Sequence, residues 1–355
     1  MRRVMKWVAG IAALLVVAAV AFIGFEPPQP TLTTQGPRLE AQFAQFVSRS
    51  DQPVRALAFS PDGALLAVTG VDGLVRLGPA DGHPLPRRFT HEGGATALAF
   101  SPDGRVVATA GYDGTVRLWD LATEMARVVR VSPQPLWTLA FAPDGATFAA
   151  AGEDKLIHLF PAAGGAELRR LSGHTLNVWH LAFAPDGKTL ASGGFDRTVR
   201  IWDVASGRLV RTSTGHEQGI VGLDVRASDG LIATGGDDAT IRLWRTDGAP
   251  LRTIAAGQFV DAVAFSADGQ WLVAGGRESH GINGLWKQFA GGRPFGGHGV
   301  AARIWRVADG AAIALLDRHP DDVVAVAFSP DGRLVATGSD DGTVAMWRLS
   351  ARTDI

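Results

Sequence analysis

Cysteine is absent from all 355 residues. Its absence excludes a disulfide framework, a thiol nucleophile, a thiolate-bound metal, a covalent c-type haem and a lipobox-style anchor. It is compatible with an oxidising compartment but does not identify one. Charge of one sign is also missing. The 34 Lys and Arg residues almost cancel the 35 Asp and Glu, leaving a net charge of −1. No dense basic run occurs outside the N-terminus, so no broad field recruits nucleic acid. The chain has no Gly-x4-Gly-Lys-Ser/Thr loop, no His-Glu-x-x-His pair and no Gly-x-Ser-x-Gly elbow. It therefore offers no phosphate cradle, zinc helix or serine-hydrolase nucleophile by motif. The Asp-Gly pairs lack the dense acidic spacing of a calcium loop. No cofactor or metal site is expected.

Long hydrophobic runs are confined to one place. Arg2, Arg3 and Lys6 precede an uncharged apolar stretch from Trp7 to Phe25. As a helix it would span about 28 Å, close to a bilayer's hydrocarbon core. Residues 1–25 are therefore expected to be an uncleaved transmembrane anchor. A signal peptide cut after Ala21, behind Ala19-Val20-Ala21, is the alternative. Both place the body outside the cytoplasm, because positive charge precedes the run and none closely follows it. The Ala, Gly and Arg-rich composition points to a bacterium. The expected location is the inner membrane with the body in the periplasm, or the periplasm alone after cleavage. Residues 26–37, with Pro27, Pro28, Pro30 and Pro37, read as a stiff extended linker of about 37 Å at most.

What is abundant is repetition. Phe59, Phe100, Phe141, Phe183, Val225, Phe265 and Phe328 each close an apolar stretch, at intervals of 41, 41, 42, 42, 40 and 63 residues. A Ser-Pro-Asp-Gly-like turn follows most of them, where Pro presets φ and Gly ends the turn. A period near 42 signals a solenoid or propeller. In one unit, Val178–Phe183, Thr189–Gly193, Thr198–Asp203 and Leu209–Thr212 read as four antiparallel strands. Such a sheet is apolar on two faces and needs neighbours to bury both.

These repeats resemble the WD-repeat (WD40) β-propeller family over residues 38–351. Trp119-Asp120 and Trp202-Asp203 are the naming dipeptides, and Gly173-His174 and Gly215-His216 are the matching Gly-His pairs. His91, Thr109, Asp113 and Trp119 are separated by 18, 4 and 6 residues. The same spacing joins His174, Ser192, Asp196 and Trp202; His216, Thr234, Asp238 and Trp244; and His319, Thr337, Asp341 and Trp347. The resemblance implies an all-β, seven-bladed propeller, which would follow the one N-terminal helix expected from residues 1–25. It also implies that each set is a hydrogen-bonded tetrad within its blade. Blade 1 (Ser50, Val68, Asp72, Gly78), blade 3 (Ser132, Ala150, Asp154, Phe160) and blade 6 (Ala256, Ala274, Glu278, Trp305) depart from the pattern. These three are expected to lack the network and to be softer. The chain ends after the third strand of blade 7, so Leu39–Val47 is expected to supply the fourth.

Ser, His and Asp in one unit invite a hydrolase reading. Four copies at identical spacing are instead what a structural repeat produces, and no catalytic residue is assigned. Arg76, Arg117, Arg200, Arg242 and Arg303 recur on third strands and are expected on exposed or half-exposed faces. The one break in the repeat is an insertion at 277–300 in blade 6. It is rich in Gly and carries Trp286, Phe289 and Phe295. Insertions in repeats map to loops on one face, often the binding face. The same rim should present Tyr112, Trp137, Trp179, Phe195 and Phe259. These eight aromatics are the expected contacts for a protein or peptide partner.

The expected function is a non-enzymatic, membrane-anchored scaffold. The alternatives are a small-ligand sensor or enzyme using the central channel, and a structural spacer subunit of an envelope complex. No nucleic-acid partner is expected, and membrane contact would run through the N-terminal helix. Partner identity and oligomeric state do not follow from these residues.

Overall fold

The turns between first and second strands show why the chain reverses where it does. In Ser101-Pro102-Asp103-Gly104, the Ser101 hydroxyl donates to Asp103 Oδ1 at 2.6 Å and accepts the Val106 N–H at 2.9 Å. Asp103 Oδ1 also accepts the Arg105 N–H at 3.1 Å. Gly104 sits at φ +70°, a left-handed conformation that costs a side-chain-bearing residue more. The turn is thus satisfied locally before any sheet forms.

The computed structural model describes residues 29–33, 35–277 and 301–352. The described residues form seven four-stranded antiparallel sheets and contain no α-helix. Blades 1 to 6 run in chain order from Val54 to Leu316, each built from four consecutive strands. Blade 7 has Val323–Phe328, Leu334–Ser339 and Thr343–Arg352, with Arg38–Arg49 as its outermost strand. The first strands neighbour one another around a closed circle, with blade 1 against blade 7. The first and last described strands are therefore joined within one sheet. Val47, on the closing strand, is buried, and Phe43 meets Trp347 edge-on at 5.6 Å.

The core lies between blades. Between blades 3 and 4, Ala149, Ile157, Leu159 and Leu171 pack against Val178, Leu181, Phe183, Leu190 and Trp202. Equivalent clusters fill the other six gaps. Each fully buried Leu or Ile contributes about 1.5–3 kcal/mol, so the gaps dominate stability.

The described residues of the Pro-rich linker, 29–33 and 35–37, make specific contacts with the body. The Thr33 N–H donates to the Ala312 carbonyl at 2.8 Å, on blade 6's outer strand. Arg306 Nη1 donates to the Gln35 and Pro37 carbonyls at 2.9 and 2.8 Å. Gln29 bonds the Gly257 carbonyl at 2.6 Å and accepts a hydrogen bond from Arg303. Residues 29–33 have no regular structure and residues 35–37 bend, with Gly36 at φ +75°; both stretches are held against blade 6. Among the described residues no helix is long and apolar enough to cross a membrane. The Trp7–Phe25 run and nearly all of the 277–300 insertion lie outside the described residues.

Candidate functional site: the rim, the tetrads and the channel

Every first strand begins with the same irregularity. Register shifts lie between Val54 and Ala56, Ala95 and Ala97, Leu136 and Thr138, and Val178 and His180. Blades 5, 6 and 7 repeat it at Ile220/Gly222, Val260/Ala262 and Val323/Ala325. A bulge re-aims the extra side chain and bends the strand. The seven re-aimed residues are Arg55, Thr96, Trp137, Trp179, Val221, Asp261 and Val324. All seven sit at the heads of the first strands, beside the turns that link second and third strands, with Thr96 and Val221 buried and the other five half-buried.

On this rim, blades 2 to 4 carry a continuous aromatic ladder. Tyr112 meets Trp137 edge-on at 5.5 Å. Trp137 stacks on Trp179 at 4.8 Å and 21°, and Trp179 meets Phe195 edge-on at 5.0 Å. All four are half-buried, so each keeps an open edge or face. Trp137 Nε1 has no hydrogen-bond partner among the described residues. The two tryptophans are thus neither sealed between blades nor separately exposed. Gly219 lets Phe195 lie flat; a Cβ there would come within 2.5 Å of Phe195 Cδ1.

The opposite arc is charged. Arg55 pairs with Asp340 at 2.8 Å. Arg277 bonds Asp237 and approaches Asp261 Oδ1 with Nε at 3.3 Å. Burial pushes the Asp261 carboxyl up to about 7; Arg277 opposes this, while Asp237, Asp322 and Asp340 add to it. Phe259 lies under the Arg277 guanidinium, 5.6 Å from ring centre to carbon. Blade 5 separates it from the ladder, so it is not a rung. Trp286, Phe289 and Phe295 lie outside the described residues.

The tetrads lie inside their blades. Trp202 Nε1–H donates to Ser192 Oγ at 2.8 Å, and Ser192 Oγ lies 2.8 Å from His174 Nε2. His174 Nδ1 lies 2.9 Å from Asp196 Oδ2. A single proton order satisfies the chain: indole to hydroxyl, hydroxyl to imidazole, imidazole to carboxylate. Blade 5 repeats it through Trp244, Thr234, His216 and Asp238 at 2.9, 2.8 and 2.9 Å. Blade 7 does so through Trp347, Thr337, His319 and Asp341 at 3.0, 2.8 and 3.3 Å. In blade 2 the ring is turned over: His91 Nδ1 faces Thr109 at 2.8 Å and Nε2 faces Asp113 at 3.2 Å, with Trp119 on Thr109 at 3.1 Å. Burial penalises the Asp238 carboxylate, but His216, Thr240 and the Glu217 N–H outweigh it and hold the group at about 2. These hydroxyls are buried, so a substrate has no approach to them.

The three blades without the full set are not simply empty. In blade 1, Asp72 accepts from Ser50 at 3.1 Å and from Arg76. In blade 3, His158 replaces the third-strand Arg and sits between Asp154, at 2.8 Å, and Glu167. Burial disfavours its charge, yet the two carboxylates win and raise its pKa. In blade 6, Gln29 and Arg303 bridge to the Gly257 and Ala256 carbonyls beside Ala256 and Ala274. Arg76, Arg117, Arg200 and Arg242 are half-buried, within the expected range, and Arg303 departs from it. Arg76, Arg117 and Arg200 keep only 12%, 13% and 11% side-chain exposure, each turned to its own blade's Asp, and Arg303 is buried. Attraction along one strand face draws the Arg76, Arg117 and Arg200 guanidiniums onto a carboxylate four residues back, whereas Arg303 turns to Gln29 and the Ala256 carbonyl.

The channel is lined mainly by alanine. Ala58, Ala99, Ala140, Ala182, Ala264 and Ala327 occupy one equivalent position, and Asp224 is the seventh. Asp224 accepts the Val225 N–H at 2.8 Å and the Phe265 N–H at 2.7 Å, tying blade 5 to blade 6. Burial raises its pKa to about 6 despite these bonds. His180 faces the channel one blade earlier, bonded to the Leu223 carbonyl, and burial lowers it to about 4. Both were missed in the sequence. The signal that could have found Asp224 is its break in a column of alanines one residue before each anchor.

Residues 42–280 match the family model described as IFT122 first beta-propeller, and residues 310–348 match WD domain, G-beta repeat. The human angio-associated migratory cell protein is 33% identical over 60 residues, 17% of this chain and 14% of that protein. A component of chicken chromatin assembly factor 1 is 36% identical over 78 residues, 20% of this chain and 13% of that protein. The matched stretches are thus a small fraction of those relatives. The seven closed blades, the repeated tetrads and the match over residues 42–280, with a further repeat matched at 310–348, place this chain in the WD-repeat β-propeller family.

Proposed function

We propose that the ring is a non-enzymatic platform that holds a protein or peptide partner on the rim carrying the aromatic ladder. The single observation behind this is the Tyr112–Trp137–Trp179–Phe195 run, half-exposed and pre-stacked across three blades. Rigid aromatics lose little side-chain freedom on binding and dominate interface energies. Asp224 and His180, the titratable groups in the channel, are each committed to backbone partners across a blade boundary. That favours the rim over a channel enzyme.

The body is held at a membrane by Trp7–Phe25, outside the cytoplasm, in the periplasm of a bacterium; a secreted body after cleavage is the variant reading. Because Gln29 is fixed at Gly257, only a few residues separate the anchor from the ring. The rim therefore works close to the bilayer. The test is mild-detergent purification of the full chain with mass spectrometry of co-purifying proteins. Trp137→Ala is expected to lose the partner while the ring stays folded, at a stability cost of about 0.5–1.5 kcal/mol for the broken stack. Retention of the partner by a folded Trp137→Ala ring would overturn the rim assignment.

A further inference from the structure

Six of the seven gaps between blades are filled at one end by the anchor phenylalanine of the following blade. Phe59, Phe100, Phe183, Phe265 and Phe328 are buried in those clusters, and Phe141 packs against its own. The gap between blades 4 and 5 has Val225 instead, only partly buried against Ala191, Ile201 and Trp244. A valine side chain is several carbons smaller than a phenylalanine's and cannot reach across. Blade 5 also lacks the turn proline. Its reversal, Arg226-Ala227-Ser228-Asp229-Gly230, is one residue longer than Ala184-Pro185-Asp186-Gly187.

A cavity of about 340 Å³ opens there. Its walls are Ala191, Ile201, Val225 and Ile232, and its mouth carries Thr189, Ser228 and Thr246 beside Asp186 and Asp229. It lies at the end of the ring opposite the aromatic ladder, among the first-to-second-strand turns. The mouth is held in shape: Arg226 clamps Asp229 at 2.7 and 2.6 Å and donates to the Gly269 carbonyl of blade 6 at 3.1 Å. The apolar floor and a rim of hydroxyls and carboxylates match a side chain that is apolar beyond its Cα, with backbone N–H donors at the mouth.

We infer that the gap between blades 4 and 5 is a second binding site, which takes the phenyl ring of a phenylalanine presented by a peptide segment of a partner protein. The occupant is identified by the molecule itself: at the six equivalent gaps a phenylalanine ring occupies this place. The partner's ring completes the seventh. A ring entering from outside gains the apolar contact that the other six gain within the chain. The ladder and this gap then give the platform two faces, so a bound partner on one leaves the other free.

The test uses the full chain with N-acetyl-phenylalaninamide as probe and the methyl resonances of Ile201, Val225 and Ile232 as readout. Saturable shifts are expected, with a dissociation constant on the order of 1 mM for so small a ligand. N-acetyl-alaninamide should leave the resonances unmoved. Val225→Phe supplies the missing ring from within and should weaken probe binding at least tenfold. Ser228→Trp, on the exposed turn, should do the same by covering the mouth without touching the core. The Trp137→Ala ring should bind the probe as the unaltered chain does, which separates this site from the rim. Absence of saturable shifts, or shifts that persist unchanged in both Val225→Phe and Ser228→Trp, would overturn the assignment.

Discussion

Ser192→Ala in blade 4 tests whether the tetrad is a stabilising network. Ser192 is the hub: its oxygen accepts the Trp202 indole N–H at 2.8 Å and its proton goes to His174 at 2.8 Å. All three side chains are buried, Trp202 at 1% exposure. Alanine leaves two polar groups without partners, each costing about 1–3 kcal/mol. Allowing for partial relaxation, the expected loss is about 2–4 kcal/mol. Trp202→Phe alone removes the indole donor and some packing. Combined with Ser192→Ala it no longer leaves the indole orphaned, so the double variant should lose about 1–2 kcal/mol less than the sum. Blade 3 supports the logic, because Ala150 and Phe160 occur there together. Equilibrium urea unfolding provides the energies. Hydrogen exchange of the Val178–Thr214 amides shows whether the loss is confined to blade 4. If Ser192→Ala lies within about 0.5 kcal/mol of the unaltered chain and the two changes add, the network does not stabilise the blade.

Two further predictions concern the channel and the N-terminal segment. Asp224 should titrate at about 6 in the folded ring and His180 at about 4, read by carbon and proton NMR. Raised above its ordinary value of 3.8, Asp224 costs the fold stability as pH climbs from near 4 through 6; His180, lowered from 6.5, does so as pH falls from 6.5 through 4. Both groups retain some exposure to channel water, so each effect should stay near 1–3 kcal/mol. An Asp224 midpoint below 4.5 would refute the burial argument. Arg306→Ala removes the donors to the Gln35 and Pro37 carbonyls. Limited proteolysis should then cut residues 29–37 several-fold faster, and an unchanged rate would show that the Thr33–Ala312 contact suffices.

The repeat made the blades readable from residues alone. The strand unit expected at Val178–Thr212 ends as Val178–Thr214, and Leu39–Val47 is the heart of the closing strand Arg38–Arg49. Local chemistry explains this: a turn of fixed composition and a two-residue alternation are properties of short segments. The tetrad spacing was equally visible, because each tetrad lies within one unit and its residues recur at fixed offsets.

What the units do to each other was not legible. The sequence by itself determined the number of blades, their turns and the residues available for each internal network. Only the tertiary structure decided that a bulge at the head of every first strand turns Trp137 and Trp179 onto one rim, where they stack. It also decided that residues 29–33 and 35–37 are held against blade 6 and that Val225 leaves one gap open. These outcomes join residues from different units, about 40 positions apart or at opposite ends of the chain. Their cause is the closed ring, which sets every blade against two neighbours at once.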